Sequence, residues 1–224
     1  MCGRFNFLSH KTAVEERFGV TDIDFDIIPR YNIAPSQKIA SVIQDPELRM
    51  VEMRWGYIPV WAKEDKIGYK MINARAEKVA ESRVFKSSFQ KKRCLIPATG
   101  FYEWQKVGKV KKPMHIRLES REIFSFAGIY SLWKSPQDKI VLSCSIITTT
   151  PNSLVAPIHN RMPVILPREK ESTWLDPDLQ DVGILKELLL AYEPDGMEAY
   201  EVSTYVNSPS NTGPVCTTPV QMQL

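Results

Sequence analysis

The chain has 224 residues, of which 43% are hydrophobic and 25% are charged, and its formal net charge is +3. This composition is typical of a globular protein and excludes a disordered or collagen-like chain, while the small net charge does not by itself indicate a nucleic-acid-binding protein. The length fits one domain, which we predict to span residues 1–224 with a loosely ordered tail over about residues 207–224.

The start of the chain, MCGRFNFLSHK, lacks the basic and apolar regions of a signal peptide, and no apolar run reaches the roughly 18 residues of a membrane helix. We therefore predict a cytoplasmic protein without membrane attachment.

The four cysteines form no CxxC or CxxH pair; they are Cys2, Cys94, Cys144 and Cys216. In a reducing compartment this spacing predicts free thiols and no metal site, and nothing else in the chain predicts a cofactor. Cys94 and Cys144 lie in strand-like apolar runs and are expected to be buried, whereas Cys2 stands where no core can surround it from one side.

Predicted strands outnumber predicted helices along the chain. Ser9 is expected to cap a helix that passes through Val14 and Phe18 and ends at Gly19. Runs rich in β-branched and aromatic residues predict strands at Ile39–Ile43, Met50–Trp55, Phe101–Val107, Val110–Leu118, Ile123–Ile129 and Ile140–Thr149. Apolar spacing and capping patterns predict further helices at Val84–Lys92, from Thr150 and Pro151 to before His159, and at Asp181–Tyr192. Gly108 joins two of the strands in a predicted hairpin. Irregular alternation of these elements predicts an α+β fold with a largely antiparallel, strongly curved sheet.

The second residue offers unusual chemistry. Aminopeptidases remove Met1 when the next residue is as small as cysteine, and removal leaves Cys2 with a free α-amine two carbons from its thiol. An α-amine with a pKa near ~8 is partly neutral at pH 7, and the thiol is a second nucleophile. Such a pair can attack an acyl group, or it can condense with an aldehyde to a Schiff base that sulfur closes to a thiazolidine. Taken alone, a Met-Cys start favours no catalytic role, because no local signature marks a catalytic cysteine.

Glu103 lies in the sequence GFYEW, within a predicted strand. Strand alternation places it on the same face as Phe101, opposite Tyr102 and Trp104. Its carboxyl group is either exposed to solvent on a hairpin or partly desolvated, and desolvation would raise its pKa toward that of a general acid at neutral pH.

Two further segments carry candidate functional side chains. His159, in APIHNRMPV, is either a hydrogen-bonded structural residue or a proton-transfer group, and without a second histidine at ligand spacing it does not indicate a metal site. Asn73 and Arg75, in MINARAE, supply an amide that can orient an amine or carbonyl and a guanidinium that can clamp phosphate.

Basic residues accumulate in the middle of the chain. Between Lys86 and Arg117 they outnumber a single acidic residue, Glu103, and comprise Lys86, Lys91, Lys92, Arg93, Lys106, Lys109, Lys111, Lys112 and Arg117. This tract is either a set of solvated surface charges or a surface that faces the phosphates of a nucleic acid.

Six motifs, taken in order, resemble the SOS-response-associated peptidase (SRAP) family. They are MCGRF at the start, RYNIAPS from Arg30, WGYIPVWA from Trp55, NARAE from Asn73, FYEW from Phe101 and HNRMPV from His159. The resemblance covers residues 2 to about 210, and the combination is far more specific than any one motif. It implies one α+β domain built on a barrel-like, mostly antiparallel sheet flanked by short helices, with the active site in a basic cleft, and it suggests a monomer.

The resemblance also implies a function. Proteins of this family bind abasic sites in single-stranded DNA and link to them covalently, so the chain is expected to be an enzyme-like, lyase-type crosslinking protein of the DNA-damage response. It implies that Cys2 forms a thiazolidine with the ring-opened deoxyribose, and that the linkage shields the lesion. It implies that Asn73 holds the reacting groups and that Glu103 and His159 transfer protons. The expected DNA contacts are Arg4, Arg75, Arg161 and Trp61. Ala62 stands where some relatives carry a second aromatic residue.

Two other functions stay open from the sequence. The first is a cysteine peptidase or N-terminal-nucleophile amidohydrolase, whose activity could be limited to release of its own Met1. The second is a binding module that reads modified bases or DNA shape through its basic surface and does not use Cys2 or Glu103.

Overall fold

Two β-sheets make up most of the fold over residues 2–222, the part of the chain that this computed structural model describes. In chain order the strands are β1 (Phe5–Phe7), β2 (Arg30–Ile33), β3 (Lys38–Gln44), β4 (Leu48–Trp55), β5 (Asn73–Arg75), β6 (Arg93–Ala98), β7 (Gly100–Val107), β8 (Val110–Leu118), β9 (Phe124–Lys134), β10 (Ile140–Thr149), β11 (Met162–Pro163), β12 (Ile165–Leu166) and β13 (Met197–Glu201). The α-helices are α1 (Lys11–Phe18), α2 (Ala76–Val79), α3 (Lys86–Lys91), α4 (Arg168–Leu175) and α5 (Val182–Glu187).

The larger sheet closes into a five-stranded barrel. Strand β3 pairs with β4 and β6, β6 pairs with β9, and β9 pairs with β10, all antiparallel. Strand β10 then closes the ring by pairing in parallel with β4. All of β6 and the first eight residues of β9 are buried, since both faces of these strands are covered. The predicted α+β fold with a barrel-like, mostly antiparallel sheet is confirmed.

The smaller sheet covers one side of the barrel. Its strand order is β13-β8-β7-β1-β2, and every pairing in it is antiparallel. The core lies between this sheet and the barrel, where Phe126 of β9 meets the ring of Phe5 at 5.7 Å and that of Phe101 at 6.1 Å. Strands β1 and β7 are therefore fixed against the barrel by aromatic packing.

Three predicted helices differ from those observed. Helix α1 does end at Gly19, which adopts the left-handed conformation with φ 66°, but the residue before it is His10, and the prediction that Ser9 caps it was wrong. The hydroxyl of Ser9 instead contacts the carbonyl of His10. The helix predicted from Thr150 is a series of turns over residues 153–158, because Asn152 accepts a hydrogen bond from the backbone N–H of Val155 and starts the turn later.

The helix predicted at Asp181–Tyr192 is also shorter, since α5 ends at Glu187. The N–H of Leu189 bonds to the carbonyl of Lys186, three residues back, and this tighter turn ends the helix. None of the helices within residues 2–222 has the length and the apolar run that crossing a membrane requires.

The segment predicted as a loose tail packs on the smaller sheet as far as the structure describes it. It contains two 3-10 helices, Pro214–Cys216 and Val220–Met222, and Cys216 is fully buried. The Asn32 side chain donates to the carbonyl of Asn211 at 2.8 Å, which ties the segment to β2. Residues 223–224 of the predicted tail lie outside the described residues.

Candidate active site

Cys2 lies three residues before β1, an interior strand of the smaller sheet. Strand β1 is inserted between β7 and β2, so the chain that leads from Cys2 into it enters between two strands rather than at an edge. Cys2 is fully buried, and the expectation that no core could surround it was wrong for this reason. Met1, whose removal the sequence predicts, lies outside the described residues. Burial and the nearby Glu103 carboxylate raise the pKa of the Cys2 thiol far above neutral, so the sulfur is a protonated thiol here.

Asn73 connects the barrel to the start of the chain. It is the first residue of β5, which lies parallel to β10 with Asn73 opposite Ile146. Its amide nitrogen donates to the carbonyl oxygen of Cys2 at 2.8 Å. Its amide oxygen is buried and has no hydrogen-bond partner among the described residues. A free acceptor therefore lies beside the first residues of the chain.

Glu103 lies on the face of β7 that points into the protein. It is only 3% exposed, which decides between the two alternatives left by the sequence in favour of desolvation. Tyr102 belongs to a separate apolar cluster on the opposite face, and the partly buried Trp104 packs against that cluster, as strand alternation predicts. Burial raises the pKa of Glu103 to about 7, so a large fraction of its carboxyl groups carries a proton at neutral pH.

His159 reaches Glu103 from the loop that follows residues 153–158. Its Nδ1 lies 3.9 Å from Oε1 of Glu103, and its side chain is 28% exposed, so it lies between the buried carboxyl and solvent. The backbone N–H of Arg161 donates to Nδ1 at 3.1 Å, which leaves the proton of the neutral ring on Nε2. Burial lowers the pKa of His159, which favours that neutral form. The fold thus gathers Cys2, Asn73, Glu103 and His159 into one site.

The three arginines expected at DNA are placed differently. Arg75 is exposed at the end of β5, two residues after Asn73. Arg161 donates to both carboxylate oxygens of Glu77, at 2.7 and 3.0 Å, and to the carbonyl of Thr148. This fork-like pair lowers the pKa of Glu77.

Arg4 is buried. Its Nη1 donates to Asn32 Oδ1 and to the carbonyl of Val206, both at 2.7 Å, and its guanidinium lies 5.8 Å from the centre of the Trp104 ring. These contacts hold the stretch of chain directly after Cys2.

Trp61 projects from the loop between β4 and β5 and is 62% exposed. The next residue, Ala62, holds this loop on the barrel through its carbonyl, which accepts from Trp133 Nε1 at 2.7 Å.

Sequence reasoning missed the roles of Glu77 and Asn32 as partners of the arginines. Glu77 is part of the NARAE motif, but its partner Arg161 is 84 residues away and no local pattern identifies it.

No group of three metal-ligating side chains occurs among residues 2–222.

A model of the family described as SOS response associated peptidase (SRAP) matches residues 1–209. The chain is 48% identical over 218 residues to the abasic site processing protein YoqW of Bacillus subtilis, which covers 96% of this chain and 97% of that protein. It is 31% identical over 192 residues to the abasic site processing protein YMR114C of Saccharomyces cerevisiae, covering 82% of this chain and 50% of that protein. A crystal structure of a protein from Bacteroides thetaiotaomicron superposes with a TM-score of 0.88 at 29% identity, covering 97% of this chain and 99% of the other.

Proposed function

Because the chain belongs to the SOS response associated peptidase family, we propose that it processes abasic sites by linking Cys2 covalently to the ring-opened sugar in single-stranded DNA. Relatives along nearly the whole length of the chain are named abasic site processing proteins. The observation that carries the proposal is the position of Cys2. Its carbonyl accepts a hydrogen bond from Asn73, and its thiol lies close enough to Glu103 for the carboxylate to raise the pKa of the thiol. An aminothiol beside a carboxyl group whose pKa is near neutral is suited to aldehyde condensation.

The reaction begins at the amine rather than at the sulfur. Since the buried thiol is protonated, the neutral α-amine that Met1 removal leaves on Cys2 is the first nucleophile. Protonated Glu103 gives its proton to the ring oxygen of the abasic sugar as the ring opens, and the resulting carboxylate takes the proton of the anomeric hydroxyl as that group becomes the aldehyde. The amine adds to the aldehyde carbon, and the resulting carbinolamine loses water, with Glu103 and His159 returning the proton to the departing hydroxyl. The product of this step is an imine.

Ring closure completes the linkage. The Cys2 sulfur adds to the imine carbon, and the thiol proton ends on the nitrogen, so aminothiol and aldehyde become a thiazolidine plus one water. Asn73 orients the amine through its unpartnered oxygen, which can accept an N–H. His159 donates through Nε2–H to a sugar oxygen and stabilises the linked product.

DNA binding is supplied around this site. We propose that Arg75 and Arg161 hold the phosphates that flank the lesion and that Trp61 stacks on a neighbouring base. Arg161 exchanges part of its pairing with Glu77 for phosphate when DNA binds. For Arg4, which the family resemblance also places at phosphate, we propose the role of fixing the chain behind Cys2, because its Nη1 donates to Asn32 and to the Val206 carbonyl.

The experiment that tests the proposal compares Cys2→Ala with Cys216→Ala on a single-stranded oligonucleotide that carries one abasic site. We expect the wild type and Cys216→Ala to form a complex that survives denaturing electrophoresis, and Cys2→Ala to form none. Intact mass spectrometry should give the protein without Met1 plus the oligonucleotide, less one water. An N-terminal tag that blocks Cys2 should abolish the complex in the same way.

Full crosslinking by Cys2→Ala would reject the aminothiol mechanism. Turnover of an amide substrate that is unaffected by abasic DNA would favour the peptidase alternative. Salt-sensitive DNA binding that does not depend on Cys2 or Glu103, with no covalent product, would favour a module that only binds DNA.

A further inference from the structure

The basic tract of the sequence does not form one surface. Arg93 is buried and donates to the backbone carbonyls of Trp174 and Phe89. In β8, Lys112 pairs with Glu201 at 2.7 Å and Arg117 pairs with Glu198 at 2.6 Å. These three cations are already compensated by the protein.

Three lysines of the tract remain together at the end of the β7–β8 hairpin. Lys106, Lys109 and Lys111 are exposed, and none of them forms an ion pair with a carboxylate in residues 2–222. We call residues 106–111 the hairpin tip. Lys106 lies directly opposite Lys111 in the register of the two strands, so their side chains share one face. Like charges at such a position are destabilising, and an anion between them would remove the repulsion.

The hairpin tip lies farther along the strand that carries Glu103. Lys106 follows Glu103 by three residues on β7, about 10 Å along the strand, and strand alternation places it on the face of Trp104, opposite the face of Glu103. An open cleft of about 310 Å³ lies beside it, lined by Trp104, Lys111 and Asn207. A DNA strand that leaves the site along β7 and passes over the end of the hairpin meets no exposed carboxylate of the hairpin, whose single carboxylate is the buried Glu103.

We propose, resting on the proposed function, that the hairpin tip binds the phosphate backbone of the DNA strand that flanks the lesion, through Lys106, Lys109 and Lys111. The contacts are with phosphates and are independent of base sequence. They increase affinity for strands long enough to extend beyond the lesion and take no part in the condensation.

The test uses single-stranded oligonucleotides with a tetrahydrofuran abasic analogue, which has no aldehyde and cannot be linked. A short oligonucleotide ends next to the lesion, and a long one extends well beyond it on both sides. The variant is Lys106→Gln, Lys109→Gln and Lys111→Gln combined. The matched control, Lys86→Gln, Lys91→Gln and Lys139→Gln combined, removes the same charge from exposed positions elsewhere.

For the long oligonucleotide, three lost phosphate contacts on a single strand should reduce the slope of log K against log salt by about 2. The control variant should keep the wild-type slope, and both variants should bind the short oligonucleotide as the wild type does. At saturating abasic DNA the hairpin variant should crosslink at the wild-type rate. Its melting temperature should equal or exceed that of the wild type, because the Lys106–Lys111 repulsion is gone.

An unchanged slope on the long oligonucleotide, or an equal loss with the control variant, would reject the hairpin tip as a phosphate contact. An equal loss on the short oligonucleotide would place the lysines at the lesion itself and reject a flanking role. If the wild type binds neither oligonucleotide, the proposed function fails. If the wild type binds both and the hairpin variant keeps the wild-type slope, only the proposal for the hairpin tip fails.

Discussion

The two faces of strand β7 carry buried polar groups in contrasting surroundings. On one face Glu103 lies next to His159, whose side chain is 28% exposed. On the other face Tyr102 lies opposite His115, which is 1% exposed and bonds to Tyr200 Oη at 2.8 Å and to Asn6 Oδ1 at 3.0 Å. The two histidines are thus neighbours of the same strand, one partly open and one closed.

The difference separates a residue that supports the fold from one that can do chemistry. Both ring nitrogens of His115 are bonded, and burial lowers its pKa to about 3, so the ring stays neutral at any working pH. Its packing also explains Gly100, where a Cβ would lie 2.3 Å from His115 Nε2. Glu103 is equally buried, but its pKa lies near neutral and His159 connects it to solvent. A complete hydrogen-bond network fixes a group, while a pKa near the working pH makes it useful.

The largest expected effect comes from the open face. Glu103→Gln removes the proposed proton-transfer group but keeps its shape, so crosslinking should slow by about 10²–10⁴-fold while binding of the tetrahydrofuran oligonucleotide stays unchanged. The acid form of Glu103 is lost as pH rises through about 7, so the wild-type rate should fall on the alkaline side, and the variant should lack this fall. Single-turnover rates measured from about pH 5 to about pH 9, a range that spans the pKa values of Glu103 and of the α-amine, report both effects.

Glu201→Gln is the matched control for this variant, because it neutralises a glutamate of the same sheet that pairs with Lys112. Its rate and pH profile should be those of the wild type. Equal losses of rate and affinity in Glu103→Gln would instead make Glu103 a positioning residue.

The fold was most predictable where the local pattern decides it. The runs of β9 and β10 are apolar because both strands are buried in the barrel, and Gly108 joins β7 and β8 as the sequence predicts. Closure of the barrel has no local signal, since β4 and β10 pair in parallel about 90 residues apart. The same limit explains the wrong expectation for Cys2, whose burial depends on the position of β1 between β7 and β2.

The candidate site divides in the same way. The chemistry of an N-terminal aminothiol follows from one residue and needs no fold. Whether Glu103 is solvated depends on what packs against β7, so the sequence left two alternatives and the burial of the strand decided between them. The compensation of Arg161 by Glu77 and of Arg4 by Asn32 joins residues 84 and 28 positions apart, which residue patterns do not reveal.

A pair of identical substitutions sharpens the contrast between the two histidines. His115→Phe removes the partner of Asn6 Oδ1 and one of the two partners of Tyr200 Oη in a closed interior. The free energy of unfolding should therefore fall by about 2 kcal/mol. Crosslinking by the folded fraction at saturating DNA should stay within about threefold of the wild type, a change of less than 1 kcal/mol in the barrier.

His159→Phe should show the reverse pattern. Its unfolding free energy should change by less than about 1 kcal/mol, as expected for a partly exposed position, while the crosslinking rate falls about tenfold or more. Chemical denaturation and single-turnover assays on both variants provide the measurements. A large rate loss in His115→Phe with normal stability would show that the closed face also takes part in the reaction.

The smallest effects distinguish the arginines. Arg75→Gln should reduce the salt slope for single-stranded DNA by about 0.7, the value for one phosphate contact, without changing stability.

Arg4→Gln should leave the slope unchanged but lower the free energy of unfolding by about 1–3 kcal/mol, because Asn32 and the Val206 carbonyl lose a buried donor. Arg4→Lys decides between the two roles: a lysine would restore a phosphate contact, but it cannot reproduce the paired bonds and the contact with Trp104. Recovery of DNA affinity by Arg4→Lys at unchanged stability would return Arg4 to the phosphates, whereas loss of stability in both Arg4 variants makes it the residue that fixes Cys2 beside Glu103.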